Sequence, residues 1–287
     1  MGRAIRVACM VACVTGIMVI ATLAGSAQTT FTTQITTSTV ITQTDYGIID
    51  WTNGVIRVQG TAVAPKRGNI AQEKQLARRG AIVDAYRQLA EMVRGVYVEG
   101  ETLMRDYMVV NDDVRAATEA LIKGAVPVPG SETFTTEDDG SISCTVTVLM
   151  YLRELFQVIY TSRQAEFSTA AVITTTASPY TGIVIDVSMF PQYRKSAIFR
   201  VVTTSGQVLY GIGVANYDYA CQSRLATYIN SVIEAKQRLQ DRIGGNPYVI
   251  RAVRVQDGDI IVSDDVAVIV AGMSGVLQQC RVVVVAP

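Results

Sequence analysis

Acidic side chains occur in clusters, at Asp112-Asp113, Glu137-Asp138-Asp139 and Asp264-Asp265. Paired carboxylates can do general acid–base work or hold calcium. Their settings point elsewhere. Two clusters sit at the start of helical patterns and one in a turn beside Gly140; helix N-termini favour acids, and turns favour Asp next to Gly. None has the alternating acids over about twelve residues that a calcium loop needs. Gly211-Ile212-Gly213-Val214-Ala215-Asn216 has the look of a dinucleotide loop, but a third glycine and a surrounding βαβ unit are missing. A turn after a strand accounts for both glycines. The sequence has no P-loop, no nucleophile elbow and no histidine, so His-dependent triads, His bases and His-ligated metals are excluded. The expectation is a protein that is not an enzyme and carries no cofactor and no metal. With 25 Lys+Arg against 25 Asp+Glu, the charge is balanced, which argues against nucleic acid as the partner.

Cys144, Cys221 and Cys280 follow the N-terminal region, where Cys9 and Cys13 lie. Cys221 and Cys280 fall in the same C-terminal region and are the expected disulfide pair in an oxidising compartment. The alternative is three small buried hydrophobes. No CxxC spacing exists, so redox catalysis is not expected. Lys66-Arg67 and Arg78-Arg79 are basic pairs that fit either acidic lipid or glycan, or a solvated helix face.

The elements that would position these residues begin after a targeting segment. Arg3 and Arg6 precede an apolar stretch from Val7 to Leu23, and Ala24-Gly25-Ser26-Ala27 offers small residues to a signal peptidase. Residues 1–27 therefore read as a secretory signal cleaved near Ala27-Gln28; a retained anchor helix is the alternative. Ser26 stands where a lipidated cysteine would be needed, so no lipid anchor is expected. Residues 28–45 contain nine Thr. They read as an extended arm, either a flexible leader or a strand for the sheet edge of a neighbouring copy.

Two α+β modules are expected, at 46–160 and 182–287, with 161–181 as a linker. Each would be a small, mainly antiparallel sheet packed by one long and one short helix. In the first, Asn53-Gly54 marks a hairpin and Asn69 caps a helix to about Arg94, with Ile82, Ala85, Leu89 and Val93 on one face. A second helix should run from Asp112 to before Gly124. Ile142, Cys144, Val146 and Val148 alternate with polar residues, as in a half-buried strand. In the second, Gly182–Val187 has a buried-strand pattern, a long helix is expected over about 219–243, and Arg281–Val285 is a last apolar strand.

Val55-Ile56-Arg57-Val58-Gln59-Gly60-Thr61, the helix segment Gln75-Leu76-Ala77-Arg78-Arg79-Gly80-Ala81-Ile82-Val83-Asp84-Ala85-Tyr86-Arg87-Gln88-Leu89-Ala90-Glu91, and Gly95-Val96-Tyr97-Val98 follow each other in that order. The stretch resembles the LPP-twenty lipoprotein family, with its FlgP-like and FlgT-like flagellar and cell-envelope members, over about residues 55–151. The absent lipobox is closer to the FlgT-like members. The resemblance implies a non-catalytic, periplasmic protein that assembles with its own copies, associated with the outer membrane through partners, as in a flagellar basal disk or ring. Flagellar motor or outer-membrane components would then be partners. Arg78, Arg79, Asp84, Arg87 and Glu91 are the candidate assembly surface, with a solvated helix face as the alternative. The competing expectation is a periplasmic binding module for a glycan, peptide or small molecule, sited in the cleft between the modules.

Overall fold

A computed structural model describes residues 39–172 and 178–287. The signal segment and most of the Thr-rich arm lie outside the described residues. Residues 38–287 form one compact unit, with an α+β fold built on two sheet-containing modules.

The axis of the first module is a pair of ten-residue strands, β3 (Val55–Ala64) and β8 (Ile142–Tyr151). They run antiparallel in unbroken register, from Val55 opposite Tyr151 to Ala64 opposite Ile142. Ile56 and Val58, with Cys144, Val146 and Val148, turn to the buried face; Arg57, Gln59 and Thr61 turn away, the period-two signature of a half-buried sheet. β1 (Ile41–Thr44) and β2 (Gly47–Asp50) form a hairpin on one side of β3. β6 (Val126–Pro127) and β7 (Thr133–Thr136) pair with the other side of β8. All pairs in this sheet are antiparallel.

Helix α1 (Ile70–Arg94) covers the buried face. Asn69 caps it by accepting from Ala71 and Gln72 N–H, and Gly95 ends it, as expected. Ala77, Ala81, Ala85 and Leu89 are buried along one stripe. This helix lies unusually close to the sheet because small residues meet there. A Cβ on Gly60 would stand 2.2 Å from Ala81 O and from Ala85 N. β4 (Tyr97–Glu99) and β5 (Thr102–Leu103) follow. Three further helices complete the module: α2 (Met104–Val110), α3 (Asp112–Gly124) and α4 (Leu152–Ser162). The expected single short helix is α3; α2 and α4 are additional.

The second module departs from the expected antiparallel layout. Its strands are β9 (Gly182–Asp186), β11 (Val201–Thr203), β12 (Val208–Tyr210), β13 (Thr227–Ile229), β14 (Pro247–Gln256), β15 (Asp259–Val262) and β16 (Val282–Val285). They lie in the order β12-β11-β15-β14-β9-β16-β13. β9 is parallel to both β14 and β16, β16 to β13, and β11 to β15; the β11–β12 and β14–β15 pairs are antiparallel. β9 and β16 are buried on both faces, and such strands read as continuous apolar runs.

The long helix expected over 219–243 is also replaced. The segment holds α5 (Tyr217–Ser223), β13, α6 (Val232–Arg238) and α7 (Gln240–Ile243). The break is at Arg224, whose φ of 65° and ψ of 163° cannot continue a helix. α8 (Val266–Ala271) and α9 (Ser274–Gln278) precede β16.

The two modules share structure. β10 (Ser196–Ile198) pairs in parallel with β4, so a third sheet, β10-β4-β5, joins residues from both. Trp51 meets Tyr228 edge to face at 5.5 Å, a favoured aromatic geometry. Tyr160 Oη donates to Ala197 O at 2.9 Å and accepts from Leu225 N at 3.3 Å. One apolar core runs from Ile56 and Leu89 through Trp51 and Tyr160 to Tyr228 and Val284. Side chains fill the junction where a binding cleft was expected.

Candidate interaction surface

Helix α1 sorts its charges. Glu73 is buried and accepts from the N–H groups of Arg67 and Gly68. Asp84 accepts from Thr61 N–H at 3.1 Å. The hairpin partner β2 ends opposite Val58, so this carboxylate occupies an amide that β2 leaves free. Arg78 donates through Nε and Nη2 to Glu132 Oε1, at 3.1 and 3.0 Å, and that contact holds the Glu132 carboxyl below its ordinary range. Tyr86 Oη donates to Ala125 O at 2.9 Å. Four polar side chains of the helix are thus spent on its own chain.

Arg79, Arg87 and Glu91 are exposed. Glu91 pairs with Arg94 at 2.7 Å. Arg79 and Arg87 have no ion pair among the described residues. The five residues of the expected assembly surface therefore divide. Arg78 and Asp84 hold the helix to sheet and loop; Arg79, Arg87 and Glu91 face outward.

The sheet offers a second feature. β1 is an edge strand, and Ile41 and Gln43 on it are exposed. Trp51 N–H donates to Val40 O at 2.9 Å. Opposed residues of an antiparallel pair alternate between bonded and non-bonded, so Ile41 and Gln43 aim N–H and C=O at the open edge. The strand is tied down from its other side. Trp51 Nε1 donates to Thr42 Oγ1 at 2.9 Å, and Val40 is buried. The folded unit therefore includes residues 40–45 of the expected arm.

The first module holds four concavities of about 570 to 630 Å³, two of which bear on binding. One, of about 620 Å³, is lined by Arg94, Arg105, Arg115, Tyr46, Met108 and Val109. Each arginine holds a nearby acid: Glu91, Asp106 at 3.4 Å and Asp112 at 2.7 Å. The other, of about 570 Å³, runs between α3 and α4, with Val114, Leu121 and Val158 beneath Asn111, Asp113 and Gln157.

The remaining sequence candidates have structural settings. Asn111 caps α3 by accepting from Val114 N–H. Asp139 accepts from Ser141 N–H in its turn. Asp264 accepts from Thr204 Oγ1, Ser205 N and Ser205 Oγ, which draws its carboxyl down to about 2. Among the described residues, no three His, Cys, Asp or Glu side chains gather to hold a metal. No described helix is long and apolar enough to cross a membrane. Cys221 and Cys280 are free thiols, as is Cys144. Burial pushes the Cys280 thiol up to about 11.

Sequence reasoning missed a buried guanidinium pair. Arg224 Nη1 donates to Trp51 O at 3.1 Å, across the junction. Its guanidinium lies against Gly54, where a Cβ would come within 2.9 Å of Cζ. Burial lowers it to about 10, with Arg242 nearby adding to the effect. Arg242 donates to the carbonyls of Val282, Ser223, Arg224 and Cys280. No local signal marked them: Arg224 follows Gln222-Ser223, and Arg242 sits beside Asp241 and Arg238 in a charged segment.

Residues 182–287 match the family model described as Treponema pallidum Tp0624, second domain. The match begins at the first residue of β9 and covers the second module. No curated protein matches the chain.

Proposed function

We propose that this chain is a secreted, non-catalytic scaffold protein of a bacterial cell envelope that assembles with its own copies through the open edge of β1. The observation that carries this reading is the placement of β1. It is a short polar strand, fastened on its inner side to β2 and Trp51, with Ile41 and Gln43 aimed outward. An edge of that kind is a template for a further strand. The Thr-rich residues that lead into it have the β-branched composition such a strand needs. The signal-like segment and the resemblance of residues 55–151 to the LPP-twenty family support the periplasm as the setting. A flagellar or other envelope ring at the outer membrane is the assembly that resemblance favours. The likeness of residues 182–287 to a domain of a Treponema pallidum protein fits a bacterial source.

The test is native mass by light scattering. The chain from residue 28 is compared with the chain from residue 39, which keeps the folded unit. A third sample carries Gln43→Pro, which removes an outward N–H at an edge position that tolerates proline. A large particle that dissociates in the second and third samples supports strand addition. A monomer in all samples at high concentration sinks it.

A second reading is a binding module. The observation favouring it is the apolar-floored groove between α3 and α4, rather than the packed junction between modules. A monomer whose unfolding temperature rises with an added peptide or glycan would favour this reading.

A further inference from the structure

The outer face of α1 carries aliphatic and basic side chains in one exposed stripe. Leu76, Arg79, Val83 and Arg87 are spaced i, i+3, i+7 and i+11, which stacks them on one side of a helix. All four are exposed, Val83 at 60%. The acids of this helix are directed away from that stripe or neutralised. Glu73 and Asp84 accept backbone N–H groups on the inner side, and Glu91 is held by Arg94. The two arginines of the stripe are left with no carboxylate among the described residues. They differ in this from the arginines of the 620 Å³ concavity, each of which holds an acid.

We infer that this face docks on an anionic lipid bilayer, with Arg79 and Arg87 on lipid phosphates and Leu76 and Val83 entering the headgroup layer between them. Unpaired guanidiniums match phosphate in charge and donor geometry. Exposed aliphatic side chains interleaved with cations are the pattern of a helix that lies in a membrane interface. A soluble polyanion would use the cations and leave the aliphatic residues without a role. The docking is direct contact with lipid, separate from strand addition at β1, and it needs no lipid anchor.

The test uses the chain from residue 28, which retains the whole compact unit. It is sedimented with vesicles of phosphatidylglycerol and phosphatidylcholine, with phosphatidylcholine vesicles alone, and titrated with soluble polyphosphate. Native mass is measured without lipid in parallel, so that loss of assembly and loss of docking are read separately. Binding to the anionic vesicles alone, reversed by salt, is expected. Arg79→Gln with Arg87→Gln should weaken it about thirtyfold, from roughly fivefold per basic residue. Val83→Ser should weaken vesicle binding severalfold and leave polyphosphate binding unchanged. Both variants are exposed changes and should keep the parent unfolding midpoint. No sedimentation with anionic vesicles, or equal sedimentation of the double-arginine variant, overturns the inference. So does polyphosphate binding as tight as vesicle binding with Val83→Ser indifferent, which would mark a soluble polyanion site.

Discussion

Nη2 of Arg242 donates to the carbonyl oxygen of Arg224 at 2.9 Å and to that of Cys280 at 2.7 Å. Both of those residues have positive φ, 65° and 53°, a region that side-chain-bearing residues rarely adopt. One guanidinium therefore holds two strained turns together. One turn ends α5 ahead of β13, and the other leads into β16, the neighbour of β13 in the sheet.

Replacing Arg242 by Met should cost about 3 kcal/mol, because buried carbonyls lose a charged donor while the strain remains. Arg242→Lys keeps the charge but not the planar fork and should recover less than half of that loss. Urea unfolding of the three proteins measures both numbers. A Met variant within 0.5 kcal/mol of the parent, on the order of an ordinary surface change, would show that the turns hold without the guanidinium.

Gly60 supports the approach of α1 to the first sheet. Gly60→Ala places a methyl group 2.2 Å from backbone atoms of the helix, and a backbone cannot rotate aside as a side chain does. The expected loss is about 3 kcal/mol, at the upper end for overpacking. Gly124→Ala is the control. Its Cβ meets nothing within 4 Å at the end of α3, so a gain of up to about 1 kcal/mol is expected from helix propensity. Thermal unfolding of both variants distinguishes close helix–sheet contact from a general cost of added methyl groups.

The first module was legible because local signals and tertiary packing agree there. Asn69 caps where it should, Gly95 stops the helix, and the alternation of Ile142 to Val148 describes a strand with one wet face. α4 went unread although Leu152, Leu155, Phe156, Ile159 and Tyr160 have helical spacing. It follows β8 without a break, and Tyr151 provides no side-chain cap to mark the start. The second module was harder for a physical reason. The helix expected over 219–243 is broken at Arg224, and of the apolar residues beyond it Leu225 and Ile229 are buried, Ile229 within β13, while Ile233 is exposed on α6. The doubly buried runs in β9 and β16 carried the parallel signal, but period alone does not set strand direction. On α1, the sequence placed Arg78, Arg79, Asp84, Arg87 and Glu91 near one another; which of them were occupied depended on Glu132 and the Thr61 amide, far away in the chain.

The three thiols should differ in reactivity. Cys144 and Cys280 are buried, whereas Cys221 is half-exposed on α5. The thiolate is the reacting form, and burial raises all three thiols, with Cys280 at about 11. Alkylation of the native chain near neutral pH should label Cys221 first, and Cys144 and Cys280 only on unfolding. Mass spectrometry of the labelled peptides reads this directly. If Cys221 and Cys280 stay unlabelled even in denaturant until a reductant is added, the pair is a disulfide in the protein as isolated.

Asp264 gives the fold an acid-sensitive fastening between the β11–β12 turn and the residues that lead into α8. Its carboxylate accepts from Thr204 Oγ1 at 2.8 Å, Ser205 N at 2.9 Å and Ser205 Oγ at 2.8 Å, so the folded state holds it at about 2, below the ordinary 3.8. A carboxyl depressed on folding stabilises the native state fully above its unfolded value. That contribution falls away as pH drops from about 3.8 to about 2 and the group protonates in both states. Asp264→Asn should therefore lower the unfolding temperature at pH 6, and the gap to the parent should close as pH falls towards 2. A gap that stays constant with pH would mean that the variant acts through lost packing or altered turn geometry, and that the carboxylate charge adds nothing to the fastening.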